Sequence, residues 1–78
     1  MTKYAIKSRP YDTKNEIMLI KMKICKLDIV QSQSIRIYKD VKVWRWIIST
    51  YPTYENAKKV LNEIDKSNIN TKGFVMEF

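Results

Sequence analysis

The chain contains no histidine, one cysteine and one glycine in 78 residues, and each scarcity removes a class of chemistry. Without histidine the commonest general base and metal ligand is missing, and Cys25 alone can build neither a zinc site nor an intramolecular disulfide. A secreted, disulfide-stapled module is excluded, and a reducing compartment fits best. The lone Gly73 cannot supply a Gly-rich phosphate loop. No apolar run approaches the roughly 18 residues needed to span a bilayer, and the opening MTKYAIKSRPYD lacks the apolar centre of a signal peptide. A soluble, cytoplasmic protein with no membrane partner is expected.

The remaining candidates for chemistry are few. Asp12 and Glu16 flank a predicted loop, and Asp28 and Asp40 fall at predicted turns, where carboxylates solvate the chain. Cys25 has Lys23 and Lys26 near it, but a lone thiol without histidine reads as a small half-buried apolar residue. No enzyme, catalytic residue, metal site, cofactor or small-molecule substrate is expected.

What is present describes a small folded module. Apolar residues make up 45% of the chain and aromatics 12%, which excludes the polar profile of a disordered chain. A single domain over 1–78 is expected, near the lower size limit for a core that folds unaided. The net charge is +7 and unevenly placed. Residues 1–52 carry eleven Lys/Arg against Asp12, Glu16, Asp28 and Asp40, whereas residues 53–78 carry four Lys against four acidic residues. A field concentrated on one part of a small domain attracts polyanions or an acidic protein surface.

Periodicity supplies the elements. TKYAIKSR alternates, with Tyr4 and Ile6 on one face and Lys3, Lys7 and Arg9 on the other, and reads as a half-buried strand. Arg9–Asn15 reads as a loop. EIMLIKMKICKL places Met18, Ile20, Met22 and Ile24 on one face and Ile17, Leu19, Lys21 and Lys23 on the other, which predicts a second strand with a bulge or a strand end near Cys25–Lys26. SIRIYKDVKVWRWIIST, Ser34–Thr50, predicts a hairpin turning at Lys39–Asp40. Pro52 stops it. Thr53 then caps a helix over Tyr54–Lys66, with Glu55 in the first turn and Ala57, Val60, Leu61 and Ile64 on one side. Phe74, Met76 and Phe78 alternate as a last strand, facing inward. The expected fold is α+β, order β-β-β-β-α-β: a mainly antiparallel sheet with one helix packed on one face and the other face open.

Both tryptophans lie in VKVWRWIIST, and the hairpin loop length decides where they point. A two- or four-residue loop puts Trp44, Trp46 and Ile48 on the face of Ile35 and Ile37, leaving Arg36, Tyr38, Val43, Arg45 and Ile47 on the open side. A three-residue loop inverts the set. Exposing two indoles forfeits about 2–3 kcal/mol of burial each, and the inverted register also sends Arg45 into the core, so the first register is preferred. The open face then carries Lys3, Lys7, Lys21, Lys23, Arg36, Tyr38 and Arg45. Single-stranded nucleic-acid binders combine such cations with rings on which bases stack.

The stretch VWRWIISTYPTYENAKKVLNEI resembles an arrangement found in the arm-type DNA-binding domains of phage integrases: a tryptophan-bearing strand, then T-x-E-x-A, then an amphipathic helix. It covers under a third of the chain, its fixed residues follow from capping and helix packing, and no family is assigned on it. The function expected from the residues is a non-catalytic binding module whose basic open sheet face engages nucleic acid or a nucleoprotein. The alternative is a small protein-binding inhibitor or adaptor, of the kind mobile elements encode against host nucleases or defence complexes, whose cations meet the side chains of an acidic or nucleic-acid-binding protein.

Overall fold

A computed structural model describes residues 3–67, 69 and 71–77. The elements are β1 (Tyr4–Lys7), α1 (Lys14–Cys25), β2 (Ile35–Asp40), β3 (Val43–Tyr51), α2 (Tyr54–Lys66) and β4 (Phe74–Glu77), with a short 3-10 turn at Ser32–Ser34 ahead of β2. The strands form one antiparallel sheet in the order β2-β3-β1-β4. The α+β class and the antiparallel sheet are as expected, and α2 has the expected bounds, with the Thr53 side chain accepting from the Asn56 N–H at 3.1 Å.

The second expected strand is instead the helix α1, so Lys21 and Lys23 do not belong to the sheet. Two local features decide this. Thr13 is extended and its side chain accepts from the Glu16 N–H at 3.2 Å, so the T-x-x-E pattern that often opens a helix starts α1 here. Ile17, Ile20 and Ile24 then recur at helical spacing, and all three pack in the core. The alternation that suggested a strand comes from Met18 and Met22, both exposed.

The corrected order, β-α-β-β-α-β, is a pair of interleaved βαβ units. β1 and β2 run parallel with β3 between them, and β3 and β4 run parallel with β1 between them. The buried residues of both helices join those of the sheet in one cluster, Ile17 and Ile24 from α1 with Ala57, Leu61 and Ile64 from α2. A row of apolar side chains crosses all four strands beneath them: Val75 opposite Ile6, Ile6 opposite Ile48, Ile48 opposite Ile35.

The hairpin turns at Val41–Lys42, two residues later than expected, with Asp40 opposite Val43. A shift of two preserves which residues share a face, so the preferred register stands. Trp46 is opposite Ile37 and fully buried. Trp44 lies on the same face at the margin of the core, with the Lys14 and Lys39 ammonium groups 5.7 and 5.9 Å from its ring centre. β4 has the opposite facing from that expected. Val75 packs against the core, while Phe74 and Met76 pair with Lys7 and Ala5 on the other face; Phe78 lies outside the described residues.

Between β1 and α1 the chain leaves the ladder at Ser8 and rejoins it at Tyr11, which exchanges two 2.8 Å backbone hydrogen bonds with Trp44. The gap is closed by Ser8. Its N–H donates to the Trp46 carbonyl at 3.0 Å, and its hydroxyl accepts from the Trp46 N–H at 2.9 Å. Tyr11 is thereby drawn into the core, although the sequence places it in a loop.

Candidate nucleic-acid interface

Both helices cover the same face of the sheet, so the opposite face is left without a covering element among the described residues. Alternation along each strand dictates what it displays. β1 contributes Ala5 and Lys7, β2 Arg36, Tyr38 and Asp40, β3 Val43, Arg45 and Ile47, and β4 Phe74 and Met76. Phe74, Lys7, Ile47 and Arg36 stand side by side across the four strands, since Phe74 pairs with Lys7, Lys7 with Ile47, and Ile47 with Arg36. At about 4.8 Å per strand this row spans about 14 Å. Arg36 and Phe74 at its two ends are exposed.

The neighbouring row is Arg45 opposite Tyr38. The Lys7 ammonium lies 5.9 Å from the Tyr38 ring centre, close enough for a cation–π attraction that holds the lysine over the open face. Arg45 is more constrained than the sequence suggests. Its Nε donates to Asp40 Oδ2 at 3.1 Å, and its terminal NH1 donates to the Ser8 carbonyl at 3.0 Å. That fork ties β3 to the end of β2 and to the segment after β1. Asp40 offsets its charge, so Arg45 organises the surface more than it adds field to it.

Of the residues expected on this face, the structure therefore brings together Lys7, Arg36, Tyr38 and Arg45. Lys3 is exposed immediately before β1. Lys21 and Lys23 lie on α1, which packs on the other face, and they are separated from this site by the whole thickness of the sheet. The residue that sequence reasoning missed is Phe74. The signal that could have found it was Val75, whose branched side chain suits the inward position when β4 is paired with β1.

At the core end of the same strands, the Tyr11 phenol oxygen and the Trp46 indole Nε1 are, among the described residues, buried side-chain polar atoms that no partner meets at full hydrogen-bonding geometry. Burial pushes the Tyr11 phenol above its ordinary value, opposed in part by the Arg9 guanidinium, which lies 4.3 Å from the ring centre, and by the Trp46 indole N–H. Burial also raises Tyr51. Neither group is on the open face.

Among the described residues no cluster of three or more His, Cys, Asp or Glu is placed to hold a metal ion, and no helix is long and apolar enough to cross a membrane. What the open face can do is present two rings and a few cations to a flat, extended ligand. Comparison of the chain with protein-family models, curated proteins and solved structures finds no match.

Proposed function

We propose that this protein is a non-catalytic module that binds single-stranded nucleic acid, alone or within a nucleoprotein, on the open face of its sheet. The observation that carries the reading is the row Phe74–Lys7–Ile47–Arg36 with Tyr38 beside it. Phe74 and Tyr38 serve as platforms for two bases, Ile47 fills the floor between them, and Lys7 and Arg36 meet phosphates. A duplex fits this reading poorly, because its bases are already stacked on one another and a flat sheet face cannot enter the major groove as a helix does.

With two or three phosphates neutralised, the logarithm of the binding constant falls against the logarithm of salt concentration with a slope of about −1.4 to −2.1 for a single strand. Removing one stacking ring costs about 1–3 kcal/mol, so Phe74→Ala weakens binding at least about fivefold at every salt concentration. Arg36→Glu instead weakens binding and flattens the salt slope. Fluorescence anisotropy of labelled single-stranded and duplex oligonucleotides across a salt series measures all three. Absence of binding even at low salt defeats the proposal and favours the inhibitor or adaptor reading, in which acidic side chains of a partner protein replace the phosphates.

A further inference from the structure

The two helices lie on the same face of the sheet and are nearly equal in length, but their outer surfaces differ. α2 turns Lys58, Lys59, Asn62 and Glu63 to solvent, with Lys66 and Glu63 paired at 3.7 Å. α1 turns out Met18, Leu19 and Met22, which are 40, 59 and 56% exposed. Ile17, Ile20 and Ile24 attach the helix to the core, and Met18, Leu19 and Met22 take no part in that contact. At about 100° per residue the three form one stripe along the outer side of the helix, with Lys21 on one flank, Lys23 on the other and Lys26 at its C-terminal end.

We propose that this stripe is a docking surface for an acidic amphipathic helix of another protein. The proposal does not depend on nucleic-acid binding, since α1 lies on the covered side of the sheet. Charge selects the occupant. From Lys14 to its C-cap the helix carries Lys14, Lys21, Lys23 and Lys26 against Glu16 alone, a net +3, so a second copy of this chain laid on the stripe would set lysine against lysine. A partner helix with apolar residues at i, i+3, i+4 and i+7 and carboxylates beside them covers the stripe and satisfies its lysines together. Methionine suits the task, because its unbranched, polarizable side chain adapts to the shape laid against it.

The test uses two synthetic peptides of identical leucine spacing, each stapled as a helix, one filled with glutamate and the other with lysine. Each is titrated into isotopically labelled protein while backbone amide shifts are followed. The proposal expects saturable shifts over Lys14–Cys25 with the acidic peptide and none with the basic one. It also expects the double variant Leu19→Gln, Met22→Gln to bind about tenfold more weakly or worse while melting at nearly the wild-type temperature, because both side chains are exposed. Equal response to both peptides, no saturable shift, shifts centred on Lys7 and Arg36 instead of α1, or unchanged binding by the double variant would overturn it. So would concentration-dependent dimerisation through α1 in analytical ultracentrifugation, or docking of the stripe on vesicles of anionic phospholipid without response to the acidic peptide.

Discussion

Ser8 and Tyr11 carry the two hydroxyls buried beside the Trp46 strand, and the structure assigns them unequal values. The Ser8 hydroxyl accepts from the Trp46 N–H and donates to the Arg9 carbonyl at 2.8 Å, so it replaces a missing rung of the ladder. Ser8→Ala leaves that N–H buried and unpaired and is expected to cost about 1–3 kcal/mol, read as a lower urea midpoint with an unchanged slope. The Tyr11 hydroxyl meets no partner at full hydrogen-bonding geometry and has only the Trp46 indole N–H and the Arg9 guanidinium near it, so Tyr11→Phe is expected to change stability by less than Ser8→Ala does. It should also change the pH profile. Tyr11 and Tyr51 are raised in the folded chain, so their stabilising effect is complete below the ordinary phenol value of about 10 and is lost as the pH climbs through their raised values. Melting temperature should therefore fall above about pH 10, and less steeply in Tyr11→Phe. An equally steep fall would show that Tyr11 carries none of it.

The elements differ in how openly they announce themselves. α2 was legible because Pro52, the Thr53 cap, Glu55 and the spacing Ala57–Val60–Leu61–Ile64 agree with one another. α1 was not, because Ile17–Ile20 is continuously apolar and satisfies both a two-residue and a helical period. Exposed Met18 and Met22 completed the false alternation, and the T-x-x-E start was the stronger clue. Facing in β4 was obscured in a similar way. Pattern reading sends the majority of apolar residues inward, whereas pairing with β1 sends in, among the described residues, Val75 and turns Phe74 and Met76 out. In the β2–β3 hairpin the face assignment survived a misplaced turn because parity is all that it requires. The turn itself is strained. Val41 has φ 61°, in a region that branched side chains avoid, and is 85% exposed, so nothing packs against its side chain in return. Val41→Gly should relieve that conformation and raise stability by about 1 kcal/mol, visible as a higher denaturation midpoint. A lower midpoint would mean that the valine side chain contributes more than its backbone costs.

At the scale of the molecule, the sheet divides two roles. One face holds both helices and the core; the other is left to a mixed surface of Phe74, Tyr38, Lys7 and Arg36. The charge asymmetry of the sequence lies before α2, but the helical state of Lys14–Cys25 moves Lys21 and Lys23 to the covered side and leaves the open face less basic than expected. The inversion of β4 compensates with a second ring. The open face is therefore weaker in field and richer in aromatic surface than the sequence implies, and the proposed binding should rest on aromatic contact as much as on phosphate contact. Trp46, buried beneath that face, provides an internal control, since its emission should be blue-shifted and little changed by a ligand on the other side of the sheet. The most direct measurement is amide shift mapping of the labelled protein titrated with a short single-stranded oligonucleotide at low salt. Binding on the open face should give saturable shifts concentrated at Lys7, Arg36, Tyr38, Ile47 and Phe74, with α1 and α2 unmoved. Shifts concentrated on the helices, or none at the open face, would contradict it.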